Sequence, residues 1–127
     1  MTDMFDLFVY GLLMPGQSGY DELGLADRTQ RLGPDRVMGR LYDLGDYPGL
    51  VAGGSGVVHG EILRSNDASL LAELDAYELY DPDDLERSDY RRVRIVTLDR
   101  AQPAWTYIYL RPLNDCPIIE TGDWRNR

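Results

Sequence analysis

The chain has 127 residues, a formal net charge of −9 and an apolar content of 43%, an ordinary balance for one globular domain. All 13 basic residues are arginine, and the chain has a single histidine, His59, and a single cysteine, Cys116. This composition excludes mechanisms that need a catalytic lysine, a disulfide within the chain or a zinc site built from several histidines and cysteines. Chemistry here has to come from carboxylates, tyrosines, arginines and backbone amides.

The charge and the apolar pattern also predict which partners and which compartment suit the protein. A net charge of −9 repels phosphate, so nucleic acid is not an expected partner. The sequence has no apolar run of about 18 residues, and residues 1–6 lack the basic start and apolar stretch of a signal peptide. A lone cysteine is typical of a reducing compartment. We therefore expect a cytoplasmic protein with no membrane partner, whose oligomeric state the sequence leaves open.

The first half of the chain alternates short apolar runs with glycine-rich breaks. The apolar runs are typical of strands and cover residues 5–10, 36–44 and 57–64. Glycine and proline predict a loop over residues 11–19 and turns at 45–49 and 52–56. A short helix is predicted over residues 23–30.

The second half begins with the clearest helical pattern, over residues 67–78, capped by Asn66 or Asp67. An acidic loop at 81–86 follows, and further strands are predicted at 90–98, 104–110 and 118–120. Five or six strands with one main helix predict a single α+β domain over residues 1–127, with a small, mixed, barrel-like sheet.

One carboxylate of the predicted helix lies on its apolar side. The apolar stripe consists of Leu70, Leu71, Leu74 and Tyr77. Glu73 and Asp75 lie at the stripe's edges, where a carboxylate can reach water, but Glu78 projects near its middle. A carboxylate aimed into a core costs several kcal/mol unless it is paired or neutralised. Burial raises the pKa of such a group toward neutrality, which suits a general base that must also return a proton.

Three other interpretations of Glu78 follow from the same residues. The helix could end before residue 78, leaving Glu78 to turn into solvent. Glu78 could instead form a buried ion pair with an arginine of residues 91–94. A third hypothesis pairs Glu78 with Glu61 as the two carboxylates of a hydrolase.

Six segments, in order along the chain, form a set of motifs. Residues 9–16 are Val-Tyr-Gly-Leu-Leu-Met-Pro-Gly, and residues 74–78 with 90–92 are Leu-Asp-Ala-Tyr-Glu and Tyr-Arg-Arg. The set resembles the gamma-glutamylcyclotransferase-like proteins, an AIG2-like family with bacterial members, with its opening Tyr-Gly-(Ser/Thr)-Leu-(Arg/Lys)-x-Gly strand and loop and its Leu-Asp-x-(Phe/Tyr)-Glu…Tyr-x-Arg block. The other matching segments are 39–49, 58–63, 104–109 and 122–124. Together they cover nearly the whole chain.

The resemblance implies the fold of that family and an enzyme that converts a gamma-glutamyl amine or amino acid into 5-oxoproline and a free amine. It implies no metal and no cofactor. It also assigns acid–base catalysis to Glu78, and substrate binding through backbone amides to the loop of Tyr10, Gly11, Leu12 and Leu13. We further expect the Tyr107 hydroxyl to donate into the cavity.

A non-enzymatic member of the family is the alternative, acting as a small-molecule binder or an interaction module on the same fold. Leu12 favours this alternative, because many family members have a serine or threonine hydroxyl at the matching position.

Overall fold

Five strands form the central sheet in a computed structural model that describes residues 4–127. The strands are β1 Phe5–Val9, β2 Gln30–Asp43, β3 Pro48–Ser65, β4 Tyr90–Val96 and β5 Pro103–Tyr109. Their order in the sheet is β2-β3-β1-β5-β4. Neighbours are antiparallel except for β1 and β5, which are parallel. The sheet is therefore mixed, as the sequence predicts.

Three α-helices accompany the sheet in the described part of the chain: α1 Ser18–Glu22, α2 Leu25–Arg28 and α3 Leu70–Tyr77. Short 3₁₀ turns occur at Leu85–Arg87 and Trp124–Asn126. The prediction of one main helix is confirmed by α3. The predicted helix over residues 23–30 is wrong in its bounds, because Gly24 adopts a left-handed backbone (φ 63°) that separates α1 from α2.

The long hairpin of β2 and β3 corrects two sequence-based boundaries. β2 begins at Gln30, six residues before the predicted start. The predicted turn at 52–56 lies inside β3, where Met38 pairs with Val57 but the next residue, Gly39, pairs with Ala52. Residues 53–56 consequently leave the ladder as a large bulge, which the glycines of this segment permit.

The two edge strands of the sheet meet at one corner. The N–H of Leu98, just after β4, donates a 2.8 Å hydrogen bond to the carbonyl oxygen of Arg36 in β2. The guanidinium of Arg36 also pairs with Asp99 at 2.8 Å. These contacts curl the sheet toward closure, in agreement with the predicted barrel-like α+β fold.

The core contains side chains from both faces of the sheet. Consecutive residues of β1, Leu7, Phe8 and Val9, are all buried, so this strand is covered on both sides. Leu70 and Leu74 of α3 belong to the same core cluster. The predicted strand at 118–120 is reduced to one bridge between Ile118 and Tyr42. Within residues 4–127, no helix has the length and apolar character needed to cross a bilayer.

Candidate active site

A cavity of about 170 Å³ lies where β1 ends and α3 ends. The site residues predicted from the sequence all line it: Tyr10, Gly11, Leu12, Leu13, Glu78 and Tyr107. The cavity is also lined by residues that the sequence patterns did not single out as site residues, among them Tyr47, Pro48, Asp89 and Tyr90. Tyr47 and Pro48 belong to a segment that carries the family resemblance. Asp89 ends the acidic stretch before β4, and nothing local marks it as a cavity residue.

Glu78 caps the C-terminal end of α3. The helix ends at Tyr77, and the N–H of Glu78 still donates a 2.9 Å hydrogen bond to the carbonyl of Leu74. Leu79 then adopts a left-handed backbone (φ 54°), as is common after a helix end. The interpretation that the helix ends before residue 78 is therefore right. The expectation that Glu78 then turns into solvent is wrong, because Glu78 is half-buried and lines the cavity.

Burial dominates the electrostatics of the Glu78 carboxyl group. Removal from water raises its pKa from 4.5 to about 8, because the charged form loses hydration. The proposed ion pair with an arginine of residues 91–94 is wrong: Arg92 contacts Asp75 instead, with 3.1 Å between the Arg92 Nε and the Asp75 Oδ1. Glu78 forms no ion pair with any residue in 4–127. A carboxyl group with such a pKa can both accept and donate a proton near neutral pH.

Three buried tyrosines around the cavity donate their hydroxyl protons to fixed acceptors in the protein. Tyr10 donates to the backbone carbonyl of Tyr107, and Tyr90 donates to that of Pro48, each at 2.6 Å. Tyr107 donates to the Asp75 carboxylate at 2.6 Å. Burial raises the pKa of all three hydroxyls, and the nearby charge of Glu78 adds to the effect. The Tyr107 proton is thus directed to Asp75 and not into the cavity, contrary to the expectation.

The loop after β1 is shaped by a close approach of the Gly11 backbone to the ring of Pro48. A Cβ atom on Gly11 would lie 2.6 Å from Cγ of Pro48, so only glycine fits without displacement. The turn is closed by the N–H of Met14, which donates to the Gly11 carbonyl at 3.1 Å. No hydrogen bond among residues 4–127 is donated by the N–H groups of Gly11, Leu12 or Leu13. Backbone donors of this kind are suited to an anionic oxygen.

The paired-carboxylate hypothesis lacks structural support. Glu61 is 4% exposed and sits between Arg31, at 2.9 Å, and Arg125, at 3.3 Å. Neither Glu61 nor His59 lines the cavity that contains Glu78. In the described part of the chain, no three His, Cys, Asp or Glu side chains converge in an arrangement that could hold a metal ion.

Comparisons with a family model and with individual proteins point to the same family. The family described as "Gamma-glutamyl cyclotransferase, AIG2-like" matches residues 7–126. The gamma-glutamylcyclotransferase family protein YtfP of Escherichia coli K12 is 38% identical over 121 residues, covering 95% of this chain and 96% of that protein.

Solved structures agree with this assignment. The solution NMR structure of ytfP from Escherichia coli superposes with a TM-score of 0.69, covering 97% of this chain and all of that one at 38% identity. An AIG2-like protein of Mus musculus shares the fold at 21% identity, with a TM-score of 0.54 over 85% of this chain and 77% of that one. The chain therefore belongs to the AIG2-like gamma-glutamyl cyclotransferase family.

Proposed function

We propose that the protein is a cyclotransferase that converts a gamma-glutamyl amine or gamma-glutamyl amino acid into 5-oxoproline and a free amine. Family membership suggests gamma-glutamylcyclotransferase-like activity on a small gamma-glutamyl molecule. The observation that carries the finer proposal is the Glu78 carboxyl group, whose pKa burial raises to about 8, in one cavity with the loop of residues 10–13.

In this proposal, the loop binds the glutamyl part of the substrate. The N–H groups of Gly11, Leu12 and Leu13 donate to no acceptor within the described residues, and all three residues line the cavity. They bind negatively charged oxygen, either the α-carboxylate or the γ-carbonyl oxygen that becomes an oxyanion as the ring closes. Local donors of this kind allow a protein with a net charge of −9 to bind an acidic group.

Glu78 carries protons between the two nitrogens of the reaction. The ionised carboxylate accepts a proton from the substrate's α-ammonium, and the neutral amine attacks the γ-carbonyl carbon. The carbon–nitrogen bond to the leaving amine then breaks as Glu78 returns a proton to that nitrogen. The α-nitrogen loses two protons overall, and the leaving nitrogen gains two when it departs as an ammonium ion. One carboxyl group suffices, because it transfers these protons one at a time.

The raised pKa of Glu78 and the ring size both favour the reaction. The pKa of about 8 makes the Glu78 carboxylate more basic than an ordinary one, so taking a proton from the substrate's α-ammonium costs less free energy. The amine and the carbonyl belong to one molecule. Holding them in the geometry of a five-membered ring gives a large effective molarity, so positioning supplies much of the rate.

The test is release of 5-oxoproline from a panel of gamma-glutamyl amines and amino acids. Glu78→Gln is expected to lower kcat/KM by about 10²- to 10⁴-fold, because the variant has no group to carry the proton. Glu86→Gln removes an equal charge from an exposed position and is expected to keep full activity. Unchanged turnover in Glu78→Gln would remove Glu78 from the mechanism. Binding of the panel without turnover by the natural protein would favour a small-molecule binding module.

A further inference from the structure

The cavity contains two carboxyl groups and no basic side chain among its described lining residues. Glu78 comes from the end of α3, and Asp89 comes from the residue before β4. Every arginine of the chain, and His59, lies outside the lining. A ligand that brings a second anionic group therefore finds no basic side chain to receive it, only the backbone donors of the loop after β1 and the hydroxyls of Tyr47 and Tyr77.

The buried tyrosines of the cavity offer a ligand hydrogen-bond acceptors and no donors. The protons of Tyr10, Tyr90 and Tyr107 are all donated to acceptors within the protein. The remaining lone pairs of these hydroxyl oxygens can only accept hydrogen bonds. The cavity's buried polar side chains thus match a ligand that donates hydrogen bonds and carries positive charge.

Asp89 is held in place by its backbone, while its side chain has no partner. Its N–H donates to the carbonyl of Leu79 at 3.0 Å, and its carbonyl accepts from the N–H of Leu110 at 2.8 Å. Its half-buried carboxylate forms no hydrogen bond and no ion pair within residues 4–127. Neither neighbouring arginine forms an ion pair with it: Arg87 pairs with Asp84 at 3.5 Å, and Arg111 donates to the Leu85 carbonyl at 2.8 Å through Nη2.

Asp89 also neighbours the open side of the cavity. Leu79, to which its backbone bonds, is 62% exposed, and Tyr47 in the same lining is 39% exposed. In the proposed reaction the glutamyl group binds to the loop amides and to Glu78. The leaving amine then extends toward the exposed residues, where Asp89 is the carboxylate that can meet it.

We propose that Asp89 determines specificity for the leaving group, selecting gamma-glutamyl amides whose departing amine carries a second, protonated amino group. This inference rests on the proposed function. The terminal ammonium pairs with the Asp89 carboxylate, which forms no ion pair with any arginine in residues 4–127. A gamma-glutamyl amino acid instead brings its own carboxylate toward Asp89 in a cavity whose charged side chains, Glu78 and Asp89, are both acidic, and like charges repel.

The test uses three gamma-glutamyl amides that differ only at the far end of the leaving group. They derive from 1,4-diaminobutane, pentylamine and 5-aminopentanoate, which end in an ammonium, a methyl and a carboxylate group. We expect kcat/KM for the ammonium compound to exceed that for the methyl compound by about tenfold, as a charged hydrogen bond supplies. The carboxylate compound is expected to be the poorest substrate.

Asp89→Asn is expected to reduce the ammonium-to-methyl ratio to within about twofold, and to leave turnover of the methyl compound nearly unchanged. Glu86→Gln carries the same change in net charge on an exposed residue and is expected to keep the full ratio. In the natural protein, the ratio should also fall as salt is raised, because the pair is only half-buried. An equal loss for all three substrates in Asp89→Asn would overturn the inference, since Asp89 would then serve the glutamyl group or the fold.

Binding of the same three compounds separates this inference from the proposed function. Calorimetry with the Glu78→Gln variant measures Kd without turnover, and the ammonium compound should bind about tenfold more tightly than the methyl compound. The preference should disappear when Asp89→Asn is added. Absence of 5-oxoproline with this preference intact would reject the cyclotransferase but keep the charge selection. Equal Kd values for the ammonium and methyl compounds would overturn the selection itself.

Discussion

The hydroxyl group of Tyr107 donates a 2.6 Å hydrogen bond to the Asp75 carboxylate, joining β5 to α3 three residues before Glu78. The same carboxylate lies 3.1 Å from Nε of Arg92. Arg92 in turn stacks on Trp105, with its guanidinium carbon 4.7 Å from the ring centroid. The end of the helix that carries Glu78 is thereby fixed to the sheet by a connected set of polar and cation–π contacts.

Loss of the Asp75 charge should therefore loosen the site. We expect Asp75→Asn to lower the free energy of unfolding by about 1–3 kcal/mol, because it weakens a part-buried ion pair and the acceptor for Tyr107. Urea unfolding at pH 7 measures the change. Glu73→Gln is the matched control on the same helix: its side chain is 49% exposed and paired with Arg28, so about 0–1 kcal/mol is expected. Equal losses in the two variants would contradict a special role for the Asp75 contacts.

The raised pKa of Glu78 predicts a pH profile for the proposed activity. The carboxyl group must be ionised to accept a proton, so kcat/KM should rise with pH and level off above about 8. The profile is measured between pH 5 and 9.5 at constant ionic strength. The residual activity of Glu78→Gln should lack this inflection. A profile that is already flat from pH 5 upward in the natural protein would mean that the carboxyl is hydrated as in an open site.

The same shift predicts how stability depends on pH. The neutral carboxyl of Glu78 is favoured in the folded state, so Glu78 lowers the stability of the fold as pH rises from 4.5 toward about 8. Glutamine does not titrate. The stability of Glu78→Gln relative to the natural protein should therefore increase across this window, by up to about 1.4 kcal/mol per pH unit, and stay constant above it. Chemical unfolding at several pH values measures this difference, and the exposed Glu86→Gln variant should show no such trend.

The approach of Gly11 to Pro48 predicts a specific coupling. Gly11→Ala places a Cβ 2.6 Å from Cγ of Pro48, and we expect a loss of about 1–3 kcal/mol in the free energy of unfolding. Pro48→Ala removes the clashing ring atoms but keeps the carbonyl that accepts from Tyr90. The double variant should recover at least about 1 kcal/mol relative to the sum of the single changes. Additive losses would show that the strain arises elsewhere.

Much of the fold was accessible from local patterns. The observed bounds of strands β1, β4 and β5 differ from the predicted ones by only one or two residues. The β2–β3 hairpin was harder. Gly53 and Gly54 adopt positive φ where β3 leaves its pairing with β2. A turn and a bulge both favour positive φ, so the two glycines fit either structure.

Only part of the site could be predicted from the sequence. Helical periodicity identified Glu78 as a carboxylate near an apolar stripe, but the same reasoning left Asp75 at the edge, free to reach water. In the fold, the Asp75 carboxylate accepts hydrogen bonds from Tyr107 and Arg92, which lie 32 and 17 residues away in the sequence. Periodicity describes neighbours within a turn or two of a helix, so it cannot assign partners that the sheet brings together.

The sequence by itself determined the chemical repertoire, the position of the main helix and the glycine-rich loop after β1, because composition and local spacing carry that information. Only the tertiary structure decided how these parts act together. It placed Glu78 in a cavity and directed the Tyr107 proton to Asp75, and among residues 4–127 it gave neither Glu78 nor the Asp89 side chain an ion-pair partner. Each of these depends on contacts between distant segments, and the low hydration of the cavity they enclose raises the pKa of Glu78.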